Sequence, residues 1–94
     1  VKVLAIDLGG KHVKLLLTGE KLERKAVSGP EMTPKQMVRA VKKLAAGWSY
    51  EVISLGYPGL VVLGRIAAEP KNLGRGWAGF DFERAFGCPL KIEN

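Results

Sequence analysis

Two short apolar runs flank a glycine pair, and that arrangement restricts the fold more than anything else in the chain. Residues 2–7 (Lys-Val-Leu-Ala-Ile-Asp) and 12–18 (His-Val-Lys-Leu-Leu-Leu-Thr) have strand length and strand composition, with only Leu8, Gly9, Gly10 and Lys11 between them. A link that short cannot carry a crossover, so the two strands must pair antiparallel. Gly9-Gly10 supplies the turn, because residues without a Cβ reach positive φ at no steric cost. A second turn at Gly19-Glu20-Lys21 leads to a weaker third strand over residues 22–28, which completes a meander. The first strand is mostly apolar, the pattern of a strand buried on both faces of a sheet.

Gly29 and Pro30 end the meander. Thr33 then suits an N-cap, Pro34 the first helical position, and Gln36 completes a Thr-x-x-Gln capping box. Met37, Val38, Val41, Leu44, Ala45 and Trp48 recur at helical spacing and predict one buried stripe, with Gly47 as the stop. Residues 51–57 read as a fourth strand ending in Gly56-Tyr57-Pro58-Gly59. Residues 60–68 form a hairpin around Gly64, and a glycine-rich loop carries Asn72, Gly74, Gly76, Trp77 and Gly79. Asp81 caps a short helix through Phe86, and residues 90–93 make a last strand. The order βββαβαβ, with a right-handed crossover, predicts an α/β unit: a mixed five-stranded sheet with helices packed on it. Ninety-four residues allow one such domain and not two.

An apolar fraction of 47% and a charged fraction of 26% place the chain among folded globular proteins. No apolar run reaches the ~20 residues of a membrane helix, and the first residues lack the pattern of a signal peptide. Cys88 is the only cysteine, so no internal disulfide forms and a cytoplasmic location is the default expectation. The net charge of +6 favours anionic partners. The basic residues are spread out, however. Lys35, Arg39, Lys42 and Lys43 fit a solvated helix face, and Lys21, Arg24 and Lys25 sit near a hairpin. A nucleic-acid binder would leave the glycine loops unexplained, so neither nucleic acid nor membrane is expected as a partner.

Three segments could carry chemistry. In the first, amides of the Gly9-Gly10 turn can converge on phosphate oxygens. Asp7 beside them could hold Mg²⁺, and Lys14 could add charge or face solvent. A plain hairpin turn after an aspartate is the competing interpretation. The glycines have neither P-loop spacing nor a following helix, which excludes the Walker and dinucleotide motifs. With one His, His12, and one Cys, no metal cluster can be built, and no nucleophile–base pair is evident. The second and third segments are Gly56-Tyr57-Pro58-Gly59 and the loop around Asn72, whose side-chain amide offers a donor and an acceptor suited to sugar hydroxyls. Trp77 and Phe80 could flank a ligand, with packing of the loop onto the domain the more ordinary role.

Taken in order, Asp7-Leu8-Gly9-Gly10 with Lys14, Gly56-Tyr57-Pro58-Gly59, Asn72-Leu73, residues 76–81 (Gly-Trp-Ala-Gly-Phe-Asp) and residues 87–94 (Gly-Cys-Pro-Leu-Lys-Ile-Glu-Asn) resemble the ROK family of sugar kinases and sugar-sensing regulators. Within it they resemble the polyphosphate/ATP glucokinase branch. The resemblance runs along nearly the whole chain. It implies the N-terminal lobe of an actin-like (ribonuclease H-like) ATPase fold over residues 1–94. It also implies a phosphate-binding turn of Gly9, Gly10, Lys11 and Lys14, Mg²⁺ placed by Asp7, and a hexose such as glucose met by Gly59, Asn72 and Asn94. ATP or polyphosphate is the implied donor, and a second lobe or another copy the implied protein partner. The family's general base is an Asp immediately after the position of Asn94, so no catalytic residue is expected among these 94 and the isolated chain is expected to be inactive.

Lys11 departs from the family, which usually has Thr or Ser there. A lysine could reach a polyanionic donor by charge, or fill the site and prevent normal ATP placement. Two rival interpretations remain within the family. A sugar-sensing regulator would usually carry a helix-turn-helix ahead of the first strand, whereas here that strand opens the sequence. A degenerate structural fragment accords with Lys11 and with the absent base.

Overall fold

The computed structural model describes all 94 residues, Val1–Asn94. Strands β1 (Val3–Leu8), β2 (His12–Leu17) and β3 (Arg24–Val27) form the antiparallel meander. Helix α1 (Pro34–Leu44) then returns the chain so that β4 (Val52–Gly56) lies parallel to β1 on its other side. A small hairpin, β5 (Val61–Val62) and β6 (Arg65–Ile66), and helix α2 (Phe82–Phe86) precede β7 (Leu90–Glu93), which pairs parallel to β4. The sheet order is β3-β2-β1-β4-β7, a mixed five-stranded sheet of the expected kind.

The register puts the apolar residues in rows. Leu17, Leu4, Ile53 and Leu90 form one row across the sheet, and Leu15, Ile6, Leu55 and Ile92 form the next. Met37, Val38, Val41 and Ala45 of the α1 region cover these rows, and Phe82 of α2 joins the same core cluster. The expectation that β1 is buried on both faces is corrected here. Leu4, Ile6 and Leu8 are buried, but Ala5 and Asp7 between them are exposed, so the helices cover one face only. An apolar Ala in an alternating strand made the pattern look continuous.

Thr33 and Gln36 form the capping box in both directions, with Pro34 in the first turn. The helix ends at Leu44 and the chain turns out of it through Gly47, whose φ of +86° provides the expected stop, while Arg24 takes up carbonyls at this end. The Arg24 guanidinium donates to Leu44 O at 2.9 Å and Ala46 O at 3.0 Å, and lies 3.8 Å from the centre of the Trp48 ring. A cation at a helix C-terminus is favoured by the dipole as well. Lys35, Arg39, Lys42 and Lys43 are all exposed, as a solvated face requires. No helix is long and apolar enough to cross a membrane.

Candidate functional site

The three parallel strands β1, β4 and β7 end at the same edge of the sheet. Gly9 and Gly10 follow β1, Gly59 follows β4, and Asn94 follows β7. Loops outside the carboxyl ends of parallel strands are where open α/β sheets bind ligands.

At the β1 side, Asp7, Gly9, Gly10, Lys11, His12 and Lys14 line one depression of about 270 Å³. The β1–β2 turn is held from outside itself. The Ser28 hydroxyl donates to Gly9 O at 2.6 Å, Ser28 N–H donates to Lys11 O at 3.0 Å, and Gly29 N–H to Gly10 O at 3.2 Å. Gly9 N–H donates to His12 O at 2.9 Å. The N–H groups of Gly10 and Lys11 donate to nothing in the chain, so the turn offers carbonyls to the protein and keeps two adjacent donors free. Exposed backbone donors beside two lysines suit an anion.

Positive φ, which the turn's glycines could have adopted, is not used: neither Gly9 nor Gly10 is among the residues with positive φ. Gly10 is required for space. A Cβ there would stand 2.7 Å from the Asn72 Cβ, so the glycine lets Asn72 pack onto the turn.

Asp7 lies in a row across the open face that runs Lys25, Lys14, Asp7, Gly56, Glu93. Its Oδ1 lies beside Gly56, 3.7 Å from where a Cβ of that residue would be. No group of three or more His, Cys, Asp or Glu side chains converges as a metal cage. One carboxylate at an open anion site is nevertheless what Mg²⁺ uses when phosphate oxygens and water supply its other ligands.

At the β4 and β7 side, the Asn94 side-chain amide donates to Gly59 O. Gly59 packs on Tyr57, where a Cβ would lie 2.8 Å from the ring. Tyr57 is buried and donates its hydroxyl to Ala68 O at 2.7 Å, and burial, with the nearby Glu69 charge, pushes its pKa up to about 12. The sequence-predicted residues thus form two groups on one edge. Asn72 belongs with Gly10, and Asn94 belongs with Gly59.

Trp77 is fully buried, its ring centre 6.1 Å from those of both Tyr57 and Phe82, and Phe80 meets Phe82 edge-on at 4.7 Å. Trp77 therefore packs the loop onto the domain. Its indole N–H is buried without a partner. A larger cleft of about 580 Å³ lies between the β5–β6 hairpin and the start of α2; Trp77 and Phe80 line it, but none of the phosphate, sugar or Mg²⁺ candidates does.

Sequence reasoning missed Glu69. Its carboxylate accepts from the N–H groups of Gly76 at 2.8 Å, Trp77 at 3.1 Å and Ala78 at 2.9 Å. The available signal was an acidic residue just ahead of a glycine-rich loop whose amides need acceptors.

A mixed sheet with helices on one face and loops gathered at the carboxyl edge of its parallel strands defines an α/β class of fold. No family model matches the chain, and no curated protein matches it in sequence. Solved structures do match, over the whole chain. The ROK hexokinase from Thermus thermophilus is 29% identical with a TM-score of 0.68. The Lmo2764 protein from Listeria monocytogenes, a candidate N-acetylmannosamine kinase, is 27% identical with a TM-score of 0.76. The ROK glucokinase from Streptomyces griseus, solved with glucose and AMPPNP, shares the fold at 20% identity and a TM-score of 0.74. The chain is homologous to the ROK family of sugar kinases, as a domain the size of an N-terminal lobe. It spans about a third of the length of these structures: 35%, 35% and 33%.

Proposed function

We propose that the chain is the N-terminal lobe of a ROK-type sugar kinase that transfers a phosphoryl group from ATP or polyphosphate to a hexose such as glucose. The observation that carries this reading is the free pair of N–H groups on Gly10 and Lys11, in one depression with Asp7 and Lys14 and in contact with Asn72. In this reading, Gly9, Gly10, Lys11 and Lys14 bind donor phosphates. Asp7 holds Mg²⁺, which neutralises phosphoryl charge when bound. Gly59, Asn72 and Asn94 orient the sugar. A cytoplasmic setting goes with the single unpaired Cys88.

What these residues contribute is positioning and charge. Backbone donors fixed by Ser28 and Gly29 need no reorganisation when negative charge arrives, which is the source of their value in phosphoryl transfer. The acceptor hydroxyl also needs a base, and in this reading the base is not among residues 1–94. The isolated 94-residue chain is accordingly expected to bind ligands without turning them over. A coupled assay for sugar phosphate with ATP and with polyphosphate tests this. Measurable product from the pure chain would overturn the division of labour proposed here.

A further inference from the structure

The loop that carries Asn72 has no strand or helix of its own between Ile66 and Phe82. One side chain gathers its second half. Glu69 Oε1 accepts from Gly76 and Trp77, and Oε2 from Ala78, so three successive amides converge on one carboxylate. Such a nest binds anions, and here the anion is supplied by the chain itself. Gly76, at φ +98°, makes the curl possible.

Asn72 lies inside the ring that Glu69 closes, three residues after the acceptor and four before the first donor. Two further contacts fix where the ring sits. Gly74 N–H donates to Met32 O at 2.8 Å, and Asn72 Cβ lies against Gly10. We propose that Glu69 is a positioning residue: by closing the loop on Gly76, Trp77 and Ala78, its carboxylate holds Asn72 against the Gly9-Gly10 turn. The functional meaning of that hold, keeping a sugar contact in register with the phosphate turn, rests on the sugar-kinase reading. The geometry does not.

The groups facing Glu69 are Arg75, in the same loop, and Tyr57, whose hydroxyl reaches Ala68 O next to it. Tyr57 stays neutral throughout the acid range. The N–H groups of Ala78 and Trp77 hold the Glu69 carboxyl below its ordinary 4.5, burial opposes them, and Gly76 and Arg75 add to the lowering. A depressed carboxyl stabilises the loop fully above 4.5, and that contribution is lost as pH falls through the depressed value.

Solution NMR on the 94-residue chain tests the proposal. In the parent, the amide signals of Gly76, Trp77 and Ala78 move together on acidification with a midpoint below that of an ordinary glutamate. Cross-peaks between Asn72 and Gly10 fade over the same range. In Glu69→Gln, amide exchange at these three residues speeds by about tenfold, the pH response disappears and the Asn72–Gly10 cross-peaks weaken several-fold while the sheet amides stay put. Glu69→Asp, which keeps the charge, restores part of the pH response. Asn72–Gly10 cross-peaks that persist through the parent titration, or in Glu69→Gln, would overturn the proposal. The parent titration needs no variant to fold. Glucose separates the two claims: if the hold on Asn72 follows Glu69 but saturating glucose leaves Asn72 unmoved, the hold stands and the sugar-kinase reading falls.

Discussion

A methyl group on Gly74 would stand 2.5 Å from Glu31 O and 2.8 Å from Met32 O. Both are backbone atoms, so neither can swing aside. Gly74→Ala is expected to cost about 1–3 kcal/mol, and to lower Tm by about 4–8 °C per kcal/mol in a domain of this size, measured by thermal unfolding. Gly10→Ala meets Asn72 Cβ, which moves only with its own backbone. It should leave the sheet intact and displace the Asn72 segment from the turn, seen as shifts of the Asn72 signals together with a lower Tm. Tyr57 gives a pH signature at the other extreme. Its pKa is raised to about 12, first by burial and then by Glu69, so its contribution is complete below pH 10 and is lost as pH rises towards 12. Ultraviolet titration of the tyrosines should show one group ionising near that value in the folded chain, and an unshifted titration would contradict its burial. These residues also mark the limits of sequence reading. The row of Lys14, Asp7 and Gly56 and the nest on Glu69 join positions that are neighbours only through the sheet register or the loop's path. Asp7 and Gly10 stood out because their chemistry is local to one turn.

At the level of elements, α1 was legible because its start is written within four residues, Thr33 to Gln36. Thr33→Ala should cost about 1 kcal/mol, read from denaturant unfolding. The stop of the helix at Gly47 was legible too, but the partner of its C-terminal carbonyls was not. Arg24, twenty residues away, takes the Leu44 and Ala46 carbonyls and stacks on Trp48. Arg24→Ala should remove both interactions and fray the last turn, so exchange of the Ala45 and Trp48 amides should accelerate while the first turn is unaffected. The strands were legible as short apolar runs bounded by glycine turns, but the number of covered faces was not. The composition of β1 fits either case, and only the position of the helices decides it.

For the whole molecule, the parallel strands bring both groups of candidate residues to one edge, and the meander presents Lys14 and Lys25 beside Asp7 on the open face. Homology to ROK kinases accounts for the fold, while the chain spans about a third of the length of those structures. The division proposed here, in which this lobe grips both ligands without completing the chemistry, can be read residue by residue. The most direct measurement is an amide and side-chain NMR titration of the 94-residue chain with Mg²⁺–ATP, with polyphosphate and with glucose. The account predicts that a phosphate donor moves Gly9, Gly10, Lys11 and Lys14, and that glucose moves Gly59, Asn72 and Asn94. Ligand-induced shifts centred elsewhere, or none at saturating ligand, would contradict it.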